Sequence, residues 1–191
     1  MVGLADKSFS FGVPEILFLA LSYYRATTRS EQDARLMIFI NARAKFINPP
    51  IPIGYYGNCI VLPCVISKAK DLCNKPLDHA LELVMKTKSS VTEEYVRSTA
   101  DLMVVKGRPY FTTASTFIVS NLTRVGLNKV KFGWGEPLYA GLPNENPDLP
   151  GVYSEYMPST NEIGESGIVV KIGLPIPAME KFVKELNIML K

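Results

Sequence analysis

The chain has 191 residues, 47% apolar and 20% charged, which excludes wholesale disorder and supplies one sizeable core rather than two. A net charge of +3 is too even for a nucleic-acid binder, and a single histidine removes most imidazole chemistry. Three cysteines, an odd number, do not read as a disulfide framework.

Met1 to Ser10 has no basic start followed by an apolar run, so no export signal is read and a cytosolic protein is expected. The apolar stretch Ile16 to Tyr24 is too short for a membrane span, which needs roughly 20 residues. It reads as part of a buried helix opened by Pro14 and running from Glu15 to Ala26. Arg35 to Asn41 is a compact apolar run and predicts a buried strand. Residues 46–57 carry Pro49, Pro50, Pro52, Gly54 and Gly57 and read as a loop. Asn58 to Ile66 predicts a second strand, with Pro63 marking an edge or a bulge.

Two helices follow. Pro76 suits a first helical position, and Leu77, Leu81, Val84 and Met85 share one face. Thr92 opens the next helix, with Glu93 and Glu94 favoured in its first turn by the helix dipole. Gly107-Arg108-Pro109 ends it. Ser115 to Asn121 predicts a strand by β-branched and aromatic content. Pro143 to Pro150 is a loop. Gly151 to Met157 and Gly167 to Gly173 flank the turn-rich residues 161–166 and predict a hairpin. Pro177 to Lys191 forms an amphipathic closing helix. The order implies a single α/β domain over residues 1–191, with antiparallel elements late in the chain.

Few chemical motifs stand out. There is no phosphate-binding Walker loop, and Gly133-Trp134-Gly135 lacks the third glycine of a dinucleotide fingerprint. His79 is the only candidate imidazole base, but it sits among polar helix positions and its fourth neighbour is Leu83, not a carboxylate. Cys59, Cys64 and Cys73 read as small buried hydrophobes rather than nucleophiles or metal ligands, so no metal is expected. Residues 59–130 are mildly basic, mostly as a solvated helix face. Val130 to Pro137 is the densest run of unusual residues and holds the only Trp. Its glycines suit a corner packed closely around a large ring, with part of a ligand tunnel as the alternative.

Phe132-Gly133-Trp134-Gly135 resembles the D-F-G-W-G motif of the BAHD family, the plant acyl-CoA-dependent acyltransferases. Asn41-Ala42-Arg43 resembles that family's N-x-R segment, and Gly54-Tyr55-Tyr56-Gly57-Asn58 its G-Y-F-G-N segment. Ser98 to Pro109 and Pro175 to Lys191 are similar to the branch that includes benzyl alcohol and methanol acyltransferases. The likeness runs in family order from about Ile16 to the end.

The resemblance implies a chloramphenicol-acetyltransferase-like mixed sheet with flanking helices, of which this chain is the C-terminal domain only. It implies acyl transfer from acyl-CoA, as co-substrate, to a small alcohol, with no bound cofactor, metal, membrane or nucleic acid. The family's base is the histidine of an H-x-x-x-D motif in the N-terminal half, and this sequence contains no such motif. The chain alone is therefore expected to be inactive, pending a missing N-terminal half. The alternative is a non-catalytic remnant that binds CoA or a partner. The implied structural motif comprises Asn41, Arg43, Lys131, Phe132, Gly133, Trp134 and Gly135. Tyr56, Gly57, Asn58, Lys106 and Arg108 are candidates for the channel or for CoA, and Lys68 and Lys70 are further candidates for its phosphates. Lys131 stands where the family has an Asp thought to pair with the Arg of N-x-R, here Arg43. Two like charges would repel, so either Lys131 reaches solvent or Arg43 has another partner.

Overall fold

The computed structural model describes Ala20, Tyr24, Thr27, Arg29, residues 31–135, Pro137, and residues 153–160, 166–172 and 174–189. In chain order the elements are β1 (Asp33–Ile38), β2 (Ile40–Asn41), β3 (Ile60–Val61), β4 (Cys64–Lys68), α1 (Ala69–Asn74), α2 (Leu77–Ser89), α3 (Glu93–Val105), β5 (Thr116–Asn121), β6 (Tyr153–Thr160), β7 (Ser166–Lys171) and α4 (Ile176–Met189).

Five strands form one mixed sheet in the order β4-β1-β5-β6-β7, and β2 pairs with β3 in a second, two-stranded sheet. The middle of the large sheet is parallel, because β5 runs beside β1 and β6 in the same direction. Both outer pairs are antiparallel. Central parallel strands are covered on both faces, and Thr116 to Ser120 are all buried, as that position requires.

Alternation along the strands divides the sheet into two faces. One carries Leu36, Val65, Phe117, Val119 and Tyr156, which cluster with Ala80 and Val84 of α2 and with Phe182 and Leu186 of α4. Tyr24 joins this core, and its hydroxyl donates to the Arg35 carbonyl. The opposite face carries Thr116, Ile118 and Ser120 of β5 with Glu155 and Met157 of β6, all buried. Ser120 and Glu155 lie side by side in the parallel register.

The hairpin expected late in the chain is β6–β7, paired from Glu155↔Lys171 to Thr160↔Ser166. Both expected early strands are divided. The run from Arg35 breaks at Phe39, whose N–H donates to the Val119 carbonyl at 3.2 Å. The run from Asn58 breaks before Cys64, so β3 pairs with β2 while β4 pairs with β1. Pro63 sits at the break. It has no N–H to give a ladder, but its carbonyl accepts from Ile38 at 3.3 Å. Cys59 and Cys64 therefore do not share a strand.

Helix α1 was not expected from the sequence. Pro76 flanks α2 as its N-cap rather than beginning it. On α2, Ala80 takes the core position expected of Met85, which is 52% exposed. Of the expected helix from Glu15 to Ala26, Ala20 and Tyr24 are helical and buried; its other residues lie outside the described set, as do residues 143–150 and 161–165. Among the described residues no helix is long and apolar enough to cross a membrane.

Candidate functional site

The β2–β3 pair brings two of the sequence motifs together. Ala42 N–H donates to the Cys59 carbonyl at 2.8 Å, so the turn after β2 lies against the chain entering β3. Asn41 Oδ1 accepts from the Arg43 backbone N–H at 3.0 Å and so shapes the turn. Arg43 Nη2 then donates to the Gly57 carbonyl at 2.6 Å, and its guanidinium lies 5.8 Å from the centre of the Tyr55 ring. A Cβ at Gly57 would lie 2.7 Å from the Tyr55 hydroxyl oxygen, so a side chain there would have to displace the exposed Tyr55 ring. The result is a small clasp that holds residues 54–57 and leaves Tyr56 98% exposed and Asn58 exposed. Arg43 thus has a partner other than residue 131.

The second motif is open. Lys131 to Gly135 are all exposed, with Phe132 at 75% and Trp134 at 95%. Gly133 (φ 92°) and Gly135 (φ 125°) are in the left-handed region, where a side chain would be strained. An added Cβ at either would meet nothing within 4 Å. The expectation of a corner packed closely around a large ring is therefore corrected. These glycines serve the backbone turn, not a close approach to the indole.

The remaining candidates are scattered. Lys106 and Arg108 follow α3, and Arg108 (φ 57°) is held in a left-handed conformation by its N–H donating to the Met103 carbonyl at 2.9 Å. Lys68 pairs with Asp33 at 2.7 Å and thereby lowers that carboxyl's pKa, and Lys70 pairs with Glu31 at 3.1 Å. His79 is half-buried on α2, its Nε2 3.5 Å from the Lys75 ammonium. Of the cysteines only Cys59 is buried; Cys64 and Cys73 are exposed, contrary to expectation. Partial burial raises the Cys64 thiol pKa, which disfavours the thiolate. Among the described residues no cluster of three His, Cys, Asp or Glu could hold a metal.

One polar cluster escaped the sequence reading. On the sheet face opposite the helices, the Tyr153 hydroxyl donates to Glu155 Oε1 at 2.8 Å. Ser120 lies beside Glu155, and the Tyr153 phenol's pKa is pushed up to about 12, chiefly by burial. Ser120 and Glu155 are 6% and 5% exposed. Phe39 meets the Tyr153 ring edge-on, 6.3 Å between centres and 84° between planes. The available signal was the Tyr-x-Glu spacing, which puts both side chains on one face of a strand.

This mixed sheet with flanking helices has the fold of solved chloramphenicol-acetyltransferase-like proteins. Vinorine synthase superposes with a TM-score of 0.64 over 93% of this chain and 42% of its own, at 17% identity. The F. sporotrichioides protein TRI101, solved with coenzyme A and T-2, gives 0.64 over 89% of this chain and 40% of its own, also at 17% identity. The model of the Transferase family matches residues 21–189, and the chain belongs to that family, the BAHD acyltransferases.

The chain is 54% identical to a benzyl alcohol O-benzoyltransferase of Nicotiana tabacum over 98% of its length and 46% of that protein's. The corresponding protein of Petunia hybrida is 54% identical over 84% of this chain and 35% of its own length. A (Z)-3-hexen-1-ol acetyltransferase of Arabidopsis thaliana is 50% identical over 81% and 34%. The chain thus spans between a third and a half of the relatives it matches.

Proposed function

We propose that these residues are the C-terminal domain of an enzyme that transfers an acyl group from acyl-CoA to an alcohol, forming an ester. The observation that carries this reading is the 54% identity to benzyl alcohol O-benzoyltransferases. Acyl-CoA as co-substrate is in keeping with solved relatives of the same fold that are complexed with coenzyme A. A cytosolic location belongs to the same proposal.

The chemistry asks for a base. A positioned imidazole takes the hydroxyl proton as the alcohol oxygen attacks the thioester carbonyl carbon, and the tetrahedral intermediate collapses with loss of CoA thiolate. By family resemblance that imidazole belongs to an H-x-x-x-D motif. Here the one histidine, His79, is followed four residues on by Leu83, and its Nε2 lies 3.5 Å from the Lys75 ammonium rather than beside a carboxylate. In this reading the base comes from the missing half, and this domain supplies one wall of the substrate channel. Asn41, Arg43 and the clasp around Gly57 shape its loops, as does the turn Lys131–Gly135, while Tyr56, Asn58, Lys106 and Arg108 are offered as contacts for acyl-CoA.

The test is reconstitution. The chain is co-expressed with the N-terminal half of the tobacco benzoyltransferase and supplied with benzoyl-CoA and benzyl alcohol, and free thiol is followed. Alcohol-dependent thiol release from the pair, absent from the chain alone, is expected. A soluble, folded pair that binds coenzyme A without turnover would overturn the proposal in favour of a binding remnant. Lys131 in place of the family's Asp is the observation that favours that second reading.

A further inference from the structure

The cluster of Ser120, Tyr153 and Glu155 is short of donors. An ionised carboxylate only accepts, and a hydroxyl brings one proton. The Tyr153 proton goes to Glu155 Oε1 at 2.8 Å. Ser120 lies beside Glu155 in the parallel register of β5 and β6 and is itself buried. The phenol's proton is then committed, and the unused capacity of the cluster is the remaining lone pairs of Glu155. A carboxylate 5% exposed and held by one phenol is poorly compensated for the water it has lost. The site is not sealed, because Tyr153 is only half-buried, and Phe39 gives it an apolar wall.

From this imbalance we infer that Ser120, Tyr153 and Glu155 form a recognition site for the acceptor substrate, reading a hydrogen-bond donor that the acceptor carries in addition to its reacting hydroxyl. The acceptor class is a ring-sized alcohol with a second hydroxyl or an ammonium group. That the ligand is an acyl acceptor rests on the proposed function; the demand for a donor rests on the geometry alone. A polar site built for a donor rejects the analogue that lacks it, because its own acceptors are then left unpaired.

Binding to the reconstituted pair, measured by calorimetry, tests this with three probes: benzyl alcohol, 4-hydroxybenzyl alcohol and 4-(aminomethyl)benzyl alcohol. A donor-bearing probe is expected to bind about tenfold more tightly than benzyl alcohol, or better, as suits a hydrogen bond to a charged group. The tighter of the two identifies the donor as hydroxyl or ammonium. Glu155→Leu removes the acceptors and should bring all three affinities within about twofold, and Glu155→Gln should fall between. Equal affinity for the three probes in the unsubstituted protein overturns the inference without any variant. So does a preference that survives Glu155→Leu, or binding of none of the probes. The readout is affinity, not turnover. A donor preference without ester formation leaves the site standing and removes the acyltransferase reading; ester formation without the preference removes only the site.

Discussion

Helices α2 and α3 have 13 residues each, follow one another in the chain and carry comparable apolar content, yet they end in different environments. Helix α2 buries Ala80 and Val84 against the sheet. Helix α3 buries nothing: Leu102 is 50% exposed, Val104 82% and Val105 78%. Its order comes from local devices. Thr92 Oγ1 accepts from the Tyr95 N–H at 3.1 Å, Glu93 pairs with Arg97 at 2.8 Å, and the Arg97 guanidinium stacks 5.3 Å from the centre of the Phe46 ring. The lesson is that helical periodicity forecasts a helix, while burial depends on whether another surface arrives to cover its apolar stripe.

The largest effect expected on this contrast is at Val84. Val84→Ala deletes buried methyl groups beside a void of about 20 Å³ that Val84 already lines with Ala80 and Leu83. Lost transfer free energy plus the enlarged cavity should cost roughly 2–3 kcal/mol. Urea unfolding followed by far-UV circular dichroism measures this directly. A loss under about 0.5 kcal/mol, the range of ordinary surface substitutions, would mean that α2 is not docked on the sheet.

The sequence made some of this arrangement legible, and the reasons are local. Thr92 with Glu93 and Glu94 announced the start of α3, and the β-branched run to Asn121 announced β5. What stayed hidden was non-local. Nothing in Asn58 to Ile66 says that its first half pairs with β2 and its second with β1, since both halves share a strand composition and sheet membership is decided by distant partners. The exposure of Trp134 was hidden for the same reason: the flanking glycines specify a left-handed turn but not what meets the ring. Arg43 and Gly57 were singled out by resemblance, but the clasp that joins them came only from the pairing of β2 with β3. Glu155 was passed over because a strand of alternating character hides a buried carboxylate until its neighbours are known.

A second contrast separates the two faces of the sheet, and pH sharpens it. Burial pushes the Tyr153 phenol from its ordinary value near 10 up to about 12. The folded state therefore holds this proton more tightly than the unfolded chain. The contribution is complete below about pH 10 and is lost as pH rises from about 10 to about 12. Tyr156, on the helix-covered face, is raised further by burial alone, so it adds to the same alkaline loss. Unfolding midpoints of the protein and of Tyr153→Phe, compared from about pH 9 to about pH 12, should converge as pH rises, because the variant lacks the Tyr153 share. Curves that stay parallel would show that Tyr153 titrates as an exposed phenol.

Thr92→Ala removes the hydroxyl that caps α3 and should cost about 1 kcal/mol. Because α3 buries no side chain, the loss should appear as fraying of α3. Amide exchange at Tyr95 and Val96 should quicken while the amides of β5 stay protected. Equal acceleration in both would mean that α3 and the sheet unfold as one unit, which would break the contrast.

The smallest effect is the most discriminating, because its sign should differ between the helices. Val104→Ala makes the same chemical change as Val84→Ala, on the helix that fully buries no side chain. With 82% of Val104 already exposed, little transfer free energy is at stake. What remains is backbone preference: valine loses side-chain freedom in a helix and alanine does not, a difference of about 0.5 kcal/mol in favour of alanine. Val104→Ala should therefore leave stability unchanged or raise it by up to that amount, in the same urea assay in which Val84→Ala lowers it. Destabilisation by more than about 1 kcal/mol at Val104 would mean that a surface covers the end of α3 in solution, and the two helices would then differ in partner rather than in burial.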